Sequence, residues 1–250
     1  MGMYACQPDD YDKFKPYFDK VIRDYHGINK EVKHVSNWDV TKVANMPAGG
    51  KLDVSNFGLG PLSMRVRVGR NLKEFPLPGS MTVDDRLALE QKMIGIFKEL
   101  MADPAYGGKY NSITPGIDES ITDDEYKQLV ADHIMFKDMA ADPYLNSAGI
   151  SSGWPSGRGC YVSEDKGFIV WVGEEDHLRI MCMAKGTVLN DVFDRLNTCL
   201  EVVSKHAEFA FSPAYGAVTS CPTNLGTGMR ASVHLPLPNL TKDGTDVSEA

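Results

Sequence analysis

Four arginines lie on segments whose alternation of apolar and polar residues is typical of β-strands. Arg65 and Arg67 are two residues apart in "LSMRVRVGR", Arg179 lies in "HLRIMCM", and Arg230 lies in "GMRASVH". Side chains two residues apart on a strand share a face. A guanidinium binds phosphate oxygens in a bidentate manner and keeps its charge at any working pH. If the four converge, they form a polyanion site; otherwise each is a solvated arginine on a sheet surface.

A carboxylate and a thiol accompany these arginines. Glu175 precedes His177 and Arg179 at two-residue steps, so the three side chains are predicted to project together. Glu175 could orient and activate a nucleophile, or could simply pair with a nearby cation. Cys221 lies two residues before Thr223, whose hydroxyl or backbone amide could stabilise a thiolate. A buried, inert thiol is the other interpretation of this cysteine.

The glycine-rich run "SCPTNLGTGMRASVH", residues 220–234, could belong to a different kind of phosphate site. Gly226, Gly228 and Ala231 fit the permissive G-x-G-x-x-A form of the dinucleotide fingerprint. That fingerprint must open a helix, whereas residues 233–238 alternate and contain two prolines, which predicts a strand. A P-loop is excluded because no lysine stands where it needs one. With "GAVTSC" as a short upstream strand, we predict a strand-loop-strand unit that projects its arginine from the return arm.

The elements that must position these residues follow from hydrophobic spacing. Residues 62–70 form one predicted strand, and "GFIVWVGEEDHLRIMCM" forms two strands around a turn at Gly173 and Glu174. Helices are predicted to start at Thr82 and Thr122, where capping boxes occur, and a further helix carries an apolar stripe through "VLNDVFDRLNTCLEVV". The pattern predicts an α+β fold, a mainly antiparallel sheet flanked by helices.

Two apolar stripes at helical spacing predict which side chains are buried. In the helix that starts at Thr122, His133 is predicted to lie on or near the packed side together with Phe136. Another amphipathic helix is predicted to end at Gly27. Its apolar stripe would consist of Phe14, Tyr17, Phe18, Val21, Ile22 and Tyr25.

Composition limits the classes of function. The chain has 250 residues, is 42% hydrophobic and carries a formal net charge of -8, so bulk attraction to nucleic acid or anionic lipid is not expected. Five cysteines without a C-x-x-C pair argue against a disulfide framework or a zinc site. The sequence has no apolar run of about 20 residues and no signal peptide. We therefore predict a cytoplasmic protein without nucleic-acid or membrane partners.

Six segments occur in the order in which one enzyme family carries them: "FDKVIRDYHG", "SMRVRVGR", "ADHIMFK", "GWPSGRG", "FIVWVGEEDHLRIMCMAKG" and "CPTNLGTGMRASVH". On these segments, nearly the whole chain resembles the phosphagen kinases, the family of arginine and creatine kinases. The resemblance implies the catalytic fold that phosphagen kinases share with glutamine synthetase. It also implies reversible phosphoryl transfer between MgATP and a guanidino compound, for cellular energy buffering.

The resemblance also implies roles for individual residues. Glu175 matches a glutamate that aligns the guanidinium, and Cys221 matches a reactive cysteine beside the substrate nitrogen. His133 and His234 match histidines at the adenine end of the nucleotide. The implied nucleotide-binding residues are Ser63, Met64, Arg65, Val66, Arg67, His133, Arg179, Arg230, Ala231, Ser232, Val233 and His234. ATP or ADP and Mg²⁺ are the implied cofactors, with Mg²⁺ held mainly through the nucleotide phosphates and not by protein ligands.

The resemblance further predicts how the chain is organised. Residues 1–50 would be a remnant of an N-terminal helical region and a linker, and residues 51–250 a catalytic domain without its C-terminal part. The family's mobile C-terminal loop would then be missing, so we expect weak nucleotide binding and slow or no turnover. Met64 and Gly173 depart from the small hydroxyl residue and the Asn that the family usually has.

Two alternative functions stay open. Bacterial protein-arginine kinases resemble the segments "CPTNLGTGMRAS" and "EEDHLRI", and they act on a protein substrate. The other alternative is a catalytically inactive fragment or pseudo-enzyme that forms part of a larger assembly. The expected partner is a small guanidino substrate whose identity the sequence leaves open, as it does the choice between monomer and homodimer.

Overall fold

An antiparallel sheet of six strands is the centre of the fold. The computed structural model describes residues 3–28, 32–42, 46–47, 50–104 and 106–235. The strands are, in chain order, β1 (Leu62–Arg70), β2 (Gly108–Ser112), β3 (Gly159–Ser163), β4 (Phe168–Val172), β5 (Leu178–Gly186), β6 (Phe211–Ser212), β7 (Gly216–Ala217) and β8 (Met229–His234). The large sheet has the order β2-β3-β4-β5-β1-β8, and β6 pairs with β7 in a sheet of their own.

Helices flank this sheet, which confirms the predicted α+β class. The described α-helices are α1 (Asp10–Lys13), α2 (Lys15–His26), α3 (Val83–Met101), α4 (Asp123–Ala131), α5 (Pro143–Ser147) and α6 (Leu189–Ser204). Both predicted capping boxes are present, at Thr82 with Asp85 and at Thr122 with Glu125. In each box the side chains satisfy amide groups that have no partner within the helix. None of the described helices is long and apolar enough to cross a membrane.

The two faces of the sheet have different environments. On one face, Met64, Val66 and Val68 of β1 are buried in the main core together with apolar residues of α3 and α6. Arg65 and Arg67 alternate with them and therefore point to the other face. A second apolar cluster covers part of that other face, around Met181 and the segment 134–139. The remainder of the arginine face borders an open cleft.

Strand register brings the four arginines to one face. Residues directly opposite each other in an antiparallel pair share a face. Arg67 lies opposite Arg230 of β8, and Gly69 lies opposite Arg179 of β5. Because Arg65, Arg67 and Gly69 follow one another at two-residue steps, all four guanidinium groups lie on the side away from the main core.

The structure confirms the two predicted strands around residues 216–234 and the place of Arg230 on the second, but the strands do not pair with each other as a hairpin would. β7 is only two residues long and pairs with β6, whereas β8 pairs with β1, which lies about 160 residues earlier in the sequence. Gly226 forms isolated bridges to Gly216 and Ala217. The alternation in residues 229–234 therefore reflects pairing with a distant strand and not with the near one.

Two burial predictions also need correction. α2 ends at Gly27, which adopts a left-handed conformation as predicted, but Phe14, Tyr17 and Tyr25 are exposed and only Phe18 and Ile22 of the predicted stripe are buried. The region 3–22 packs through these residues against Leu77, Ala210 and Val218. The boundary between residues 1–50 and 51–250 stays a prediction.

His133 does not lie on the packed side of a helix. α4 ends at Ala131, and His133 is exposed in a left-handed conformation with φ of 59°. The helical spacing predicted from Thr122 onward fails here because the chain leaves the helix before His133. The next residues, Ile134 and Phe136, are buried.

Candidate active site

Three of the four arginines border a cleft of about 520 Å³. Arg67, Arg179 and Arg230 line it together with Asp176 and the loop 223–229. The guanidinium groups lie close enough to disfavour one another's charge. Burial, and then Arg179 and Arg65, lower the pKa of Arg67 to about 10. A site that holds several cations together without bound anions has a strong preference for a polyanionic ligand.

Several of these guanidinium groups lack protein acceptors. The buried Nε of Arg65 has no hydrogen-bond partner, and its Nη2 lies 2.7 Å from the sulfur of Met181. Within the described part of the chain, Arg67 and Arg230 form no salt bridge. An unpaired donor in a partly buried site is costly. These donors are therefore available to a ligand.

Arg179 differs from the other three because it has acidic partners. Its Nη2 lies 2.8 Å from Glu174 Oε2 and 3.4 Å from Glu175 Oε2, and its guanidinium lies 5.5 Å from the ring centroid of Trp171. The side chain of Arg179 is 14% exposed. These contacts join the arginine group to the acidic loop between β4 and β5.

Glu175 combines burial with negative neighbours. Burial, followed by the charges of Asp176 and Glu174, raises the pKa of Glu175 to about 7, although Arg179 and Arg67 act in the opposite direction. A carboxyl group with a pKa near the working pH can both accept and release a proton. Glu175 is therefore suited to general acid-base chemistry.

His177 does not project with Glu175 and Arg179, in contrast to the prediction. It is fully buried. Its Nδ1 accepts a hydrogen bond from the amide of Leu72 at 3.0 Å, and its Nε2 lies 2.8 Å from the carbonyl oxygen of Pro76. Burial lowers the pKa of His177 to about 4. The two-residue step fails because residues 173–177 form a loop and β5 begins only at Leu178.

Cys221 lies beside the acidic loop. Its sulfur is 3.1 Å from the hydroxyl oxygen of Thr223, the contact that the sequence predicted. Burial raises the pKa of the Cys221 thiol, and Glu175 and Asp176 add to this effect, whereas the hydrogen bonds from Thr223 oppose it. Without a ligand, the thiol is thus the favoured form, and a cation placed between Cys221 and Glu175 would favour the thiolate.

The remaining predicted nucleotide-binding residues divide by strand face. Ser63 and His234 lie opposite each other, and Ser232 lies opposite Arg65, so these three share the arginine face. Met64 and Val66 are buried in the main core, and Val233 packs against it. Ala231 lies opposite Val66 and shares that face. For these four residues only backbone atoms, and not side chains, are placed to meet a ligand on the arginine face.

Tyr4 is a site residue that the sequence patterns did not indicate. The amide of its neighbour Ala5 donates to the carbonyl oxygen of Ser220 at 2.8 Å, which places Tyr4 beside Cys221. Burial, Glu175 and Cys221 raise the pKa of Tyr4. No periodicity could have revealed this contact, because its partners lie more than 170 residues later. Asp176 was also missed, although it follows Glu175 directly in the sequence.

The described residues were also compared with the side-chain groups that bind metal ions. Residues 3–28, 32–42, 46–47, 50–104 and 106–235 contain no group of three His, Cys, Asp or Glu side chains that could hold a metal ion.

A family model described as "ATP:guanido phosphotransferase, C-terminal catalytic domain" matches residues 88–249. The chain belongs to the ATP:guanido phosphotransferase family. The match includes Glu175 and Cys221, whereas Arg65 and Arg67 precede it.

Individual members of the ATP:guanido phosphotransferase family align with more of the chain. The arginine kinase of Anthopleura japonica is 40% identical over 241 residues, which cover 95% of this chain and 31% of that protein. Creatine kinase B-type of Gallus gallus is 37% identical over 248 residues, which cover 97% of this chain and 61% of that protein. The chain thus spans between about one third and two thirds of the length of these relatives.

A solved ATP:guanido phosphotransferase confirms the fold. The substrate-free duplicated taurocyamine kinase from Schistosoma mansoni matches with a TM-score of 0.80 and 34% sequence identity, covering 95% of this chain and 32% of that chain. The three relatives are named for three different guanidino compounds. Membership of the family therefore supports guanidino phosphotransfer in general and does not select a substrate.

Proposed function

We propose that this site transfers a phosphoryl group reversibly between MgATP and a small guanidino compound. The observation that carries the proposal is the convergence of four arginines on one sheet face, directly beside a partly buried glutamate whose pKa is raised to about 7. Phosphoryl transfer needs little covalent help from the protein, so positioning and charge neutralisation are the main tasks of such a site.

The arginines supply the nucleotide side of the proposed reaction. Among the described residues, Arg65, Arg67 and Arg230 form no salt bridge, and the buried Nε of Arg65 has no hydrogen-bond partner, which fits the oxygens of a polyphosphate. Arg179 lies between this group and Glu175, where it would stabilise the charge on the phosphoryl group in transfer. Mg²⁺, bound to the nucleotide phosphates, would neutralise part of their charge. We assign no protein ligand to Mg²⁺.

Glu175 and Cys221 supply the guanidino side. A guanidinium is a poor nucleophile until a carboxylate orients it and accepts a proton. Glu175 has the burial and the raised pKa for this role. The substrate guanidinium would also lie near the thiol of Cys221, whose pKa responds to the charge of Glu175. The two side chains would then hold the substrate nitrogen in line with the phosphoryl group.

The test combines nucleotide binding with turnover. ADP binding is measured by calorimetry, and ATP turnover by a coupled assay with arginine, creatine, taurocyamine, glycocyamine and lombricine. We expect one compound to support at least slow turnover and Glu175→Gln to lower kcat about 10²- to 10⁴-fold, the usual size of a general-base contribution. ADP affinity should change far less than kcat, because Glu175 offers no donor to phosphate and meets the arginine group through Arg179, at 3.4 Å. Glu208→Gln, at an exposed surface ion pair with Lys73, is the matched control.

The outcomes separate this proposal from the two alternatives. Turnover by the Glu175→Gln variant equal to that of the Glu208→Gln control would overturn the assigned role of Glu175. Phosphorylation of arginine in a protein substrate, without turnover of any free guanidino compound, would support a protein-arginine kinase. Nucleotide binding without any turnover would overturn the transferase proposal for this chain and retain only the nucleotide site.

A further inference from the structure

A buried asparagine joins the three segments that form the acidic side of the cleft. Asn71 follows β1 directly and is fully buried. Its Nδ2 donates to Asp176 Oδ1 at 2.7 Å and to the carbonyl oxygen of Val218 at 3.0 Å. Its Oδ1 accepts from the amide of His177 at 2.8 Å. Both amide donors and the amide acceptor are thus in use.

Asp176 extends this connection to the cysteine segment. The same Oδ1 that accepts from Asn71 also accepts from the amide of Ser220 at 2.7 Å. Ser220 precedes Cys221, and its carbonyl oxygen binds the amide of Ala5. One carboxylate oxygen therefore connects Asn71 to the backbone beside the thiol, while Asp176 itself neighbours Glu175 in the chain.

The strand beside this network leaves room for the second oxygen of Asp176. A Cβ atom at Gly69 would come within 2.9 Å of Asp176 Oδ2, so a larger residue there would displace the carboxylate. Gly69 lies opposite Arg179, and both Gly69 and Asp176 line the cleft. The carboxylate is thus held from one side by Asn71 and Ser220, and it borders the cleft on the other.

Loss of Asn71 would leave costly groups behind. The carbonyl of Val218, the amide of His177 and one lone pair of Asp176 would each lose a partner in a buried region. Hydrogen bonds to a charged acceptor such as Asp176 are the strongest of these. Asp176 would then turn away from Ser220 or draw water into the site, and both changes would move Cys221 relative to Glu175.

We infer that Asn71 is a positioning residue, which acts through Asp176 to hold the Glu175 loop and the Cys221 segment in fixed relative positions. The inference deepens the proposed function, and its predicted effect on turnover rests on that function. The positioning role itself rests only on the hydrogen-bond geometry. Among the described residues, no hydrogen bond joins Asn71 to the four arginines, so loss of Asn71 should alter the chemical step and the cysteine while leaving the nucleotide affinity intact.

The test compares Asn71→Leu with Asn111→Leu. Asn111 is a second buried asparagine whose Nδ2 approaches the carbonyls of Lys109 and Cys160, and it lies on β2, the edge strand farthest from β1 and β8. Cys221 alkylation by iodoacetamide is followed by peptide mass spectrometry. Since access controls thiol reactivity, we expect Asn71→Leu to accelerate it about fivefold or more. A misplaced reacting group typically costs about 100-fold in rate, and we expect a loss of kcat of that order.

Calorimetry and a second variant keep the outcomes distinct. ADP affinity and binding stoichiometry by calorimetry should equal those of the wild type, which separates mispositioning from a reduced fraction of folded protein. If Asn71→Leu does not fold, Asn71→Ser replaces the carboxamide by a shorter side chain with one hydroxyl and tests the same contacts. The inference is overturned if the Asn71 variant matches Asn111→Leu in both alkylation and kcat. If the wild type shows no turnover but Asn71→Leu still accelerates alkylation, the proposed function fails and the positioning role stands.

Discussion

Two regions of this molecule hold charged side chains away from water, and they treat those charges differently. In the first, which we call the anchor, Arg158 is fully buried and donates to the carbonyl oxygens of Gly173, Ser156, Ile150 and Ser152 at 2.9 to 3.1 Å. In the same region, Glu90 accepts hydrogen bonds from the hydroxyls of Tyr110, Ser112 and Thr114. Neutral polar groups thus saturate both anchor charges.

The second region is the cleft, where charges are left without such partners. Arg65 retains a buried Nε without an acceptor, and Glu175 has Arg179 at 3.4 Å as its hydrogen-bond partner. This difference distinguishes buried charged side chains with a structural role from those with a functional role. The anchor charges hold neutral polar groups from several segments in place, whereas in the cleft an unsaturated charge costs stability and gains when a ligand binds.

The largest effect should come from the anchor. Arg158→Met removes four hydrogen bonds from a charged donor, two of them buried and two partly buried, and takes this donor from four carbonyl groups. We expect a loss of about 3 kcal/mol or more in the free energy of unfolding, measured by urea denaturation. Because Gly173 opens the loop that carries Glu175, kcat should also fall. An unchanged denaturation midpoint would mean that the anchor is not structural and would remove the contrast between the two regions.

A substitution in the cleft should lower ligand binding and not stability, the opposite of the effect expected for Arg158→Met. Arg67→Met removes one of several mutually repelling guanidinium groups, so the variant should be at least as stable as the wild type. A charge-assisted hydrogen bond contributes about 1.5 to 3 kcal/mol, and we therefore expect ADP affinity to fall about 10- to 100-fold. Calorimetry and thermal melting measure the two effects.

Arg195→Met is the matched control for Arg67→Met. The Arg195 guanidinium pairs with Asp165 at the surface, remote from the cleft. It should leave ADP affinity unchanged and alter stability only slightly, because exposed ion pairs contribute little. Equal losses of ADP affinity in the two variants would show that the arginine group acts through net charge and not through contacts in the cleft.

The sequence predicted the arginine face well, because that face depends on local alternation. β1 keeps its two-residue period over nine residues, so Arg65 and Arg67 could be assigned to the side opposite Met64 and Val66 from spacing alone. His177 shows the limit of the same reasoning, since the period was extended through a loop in which successive side chains no longer alternate.

Contacts between distant segments could not be predicted in this way. Asn71 binds residues 105 and 147 positions later in the chain, and the partner strand of β8 lies far before it. Neither contact leaves a periodic signal near the residues involved. Resemblance to a family suggested the roles of Glu175 and Cys221, but it did not indicate Asn71, whose role follows only from hydrogen bonds in three dimensions.

The smallest predicted effect concerns pH and the unsaturated carboxylate of the cleft. The pKa of Glu175 is raised from 4.5 to about 7 in the folded protein, so between these values the folded state binds more protons than the unfolded state. Stability from this group is therefore present below pH 4.5 and is lost as pH rises towards 7. Glu175→Gln removes the dependence. Relative to wild type, the variant should be more stable near pH 8 than near pH 4.5 by about 1 kcal/mol or more, the value of one pKa unit.

Urea denaturation at the two pH values measures this difference, with Glu208→Gln as the control for loss of one negative charge at an exposed position. An equal pH dependence in both variants would mean that Glu175 is as well solvated as a surface carboxylate. In that case the cleft would hold an ordinary ionised glutamate at neutral pH, and the contrast with the saturated Glu90 would concern hydrogen bonding alone. A difference of the predicted sign would instead show that the cleft stores an unfavourable charge, which a bound guanidinium would relieve.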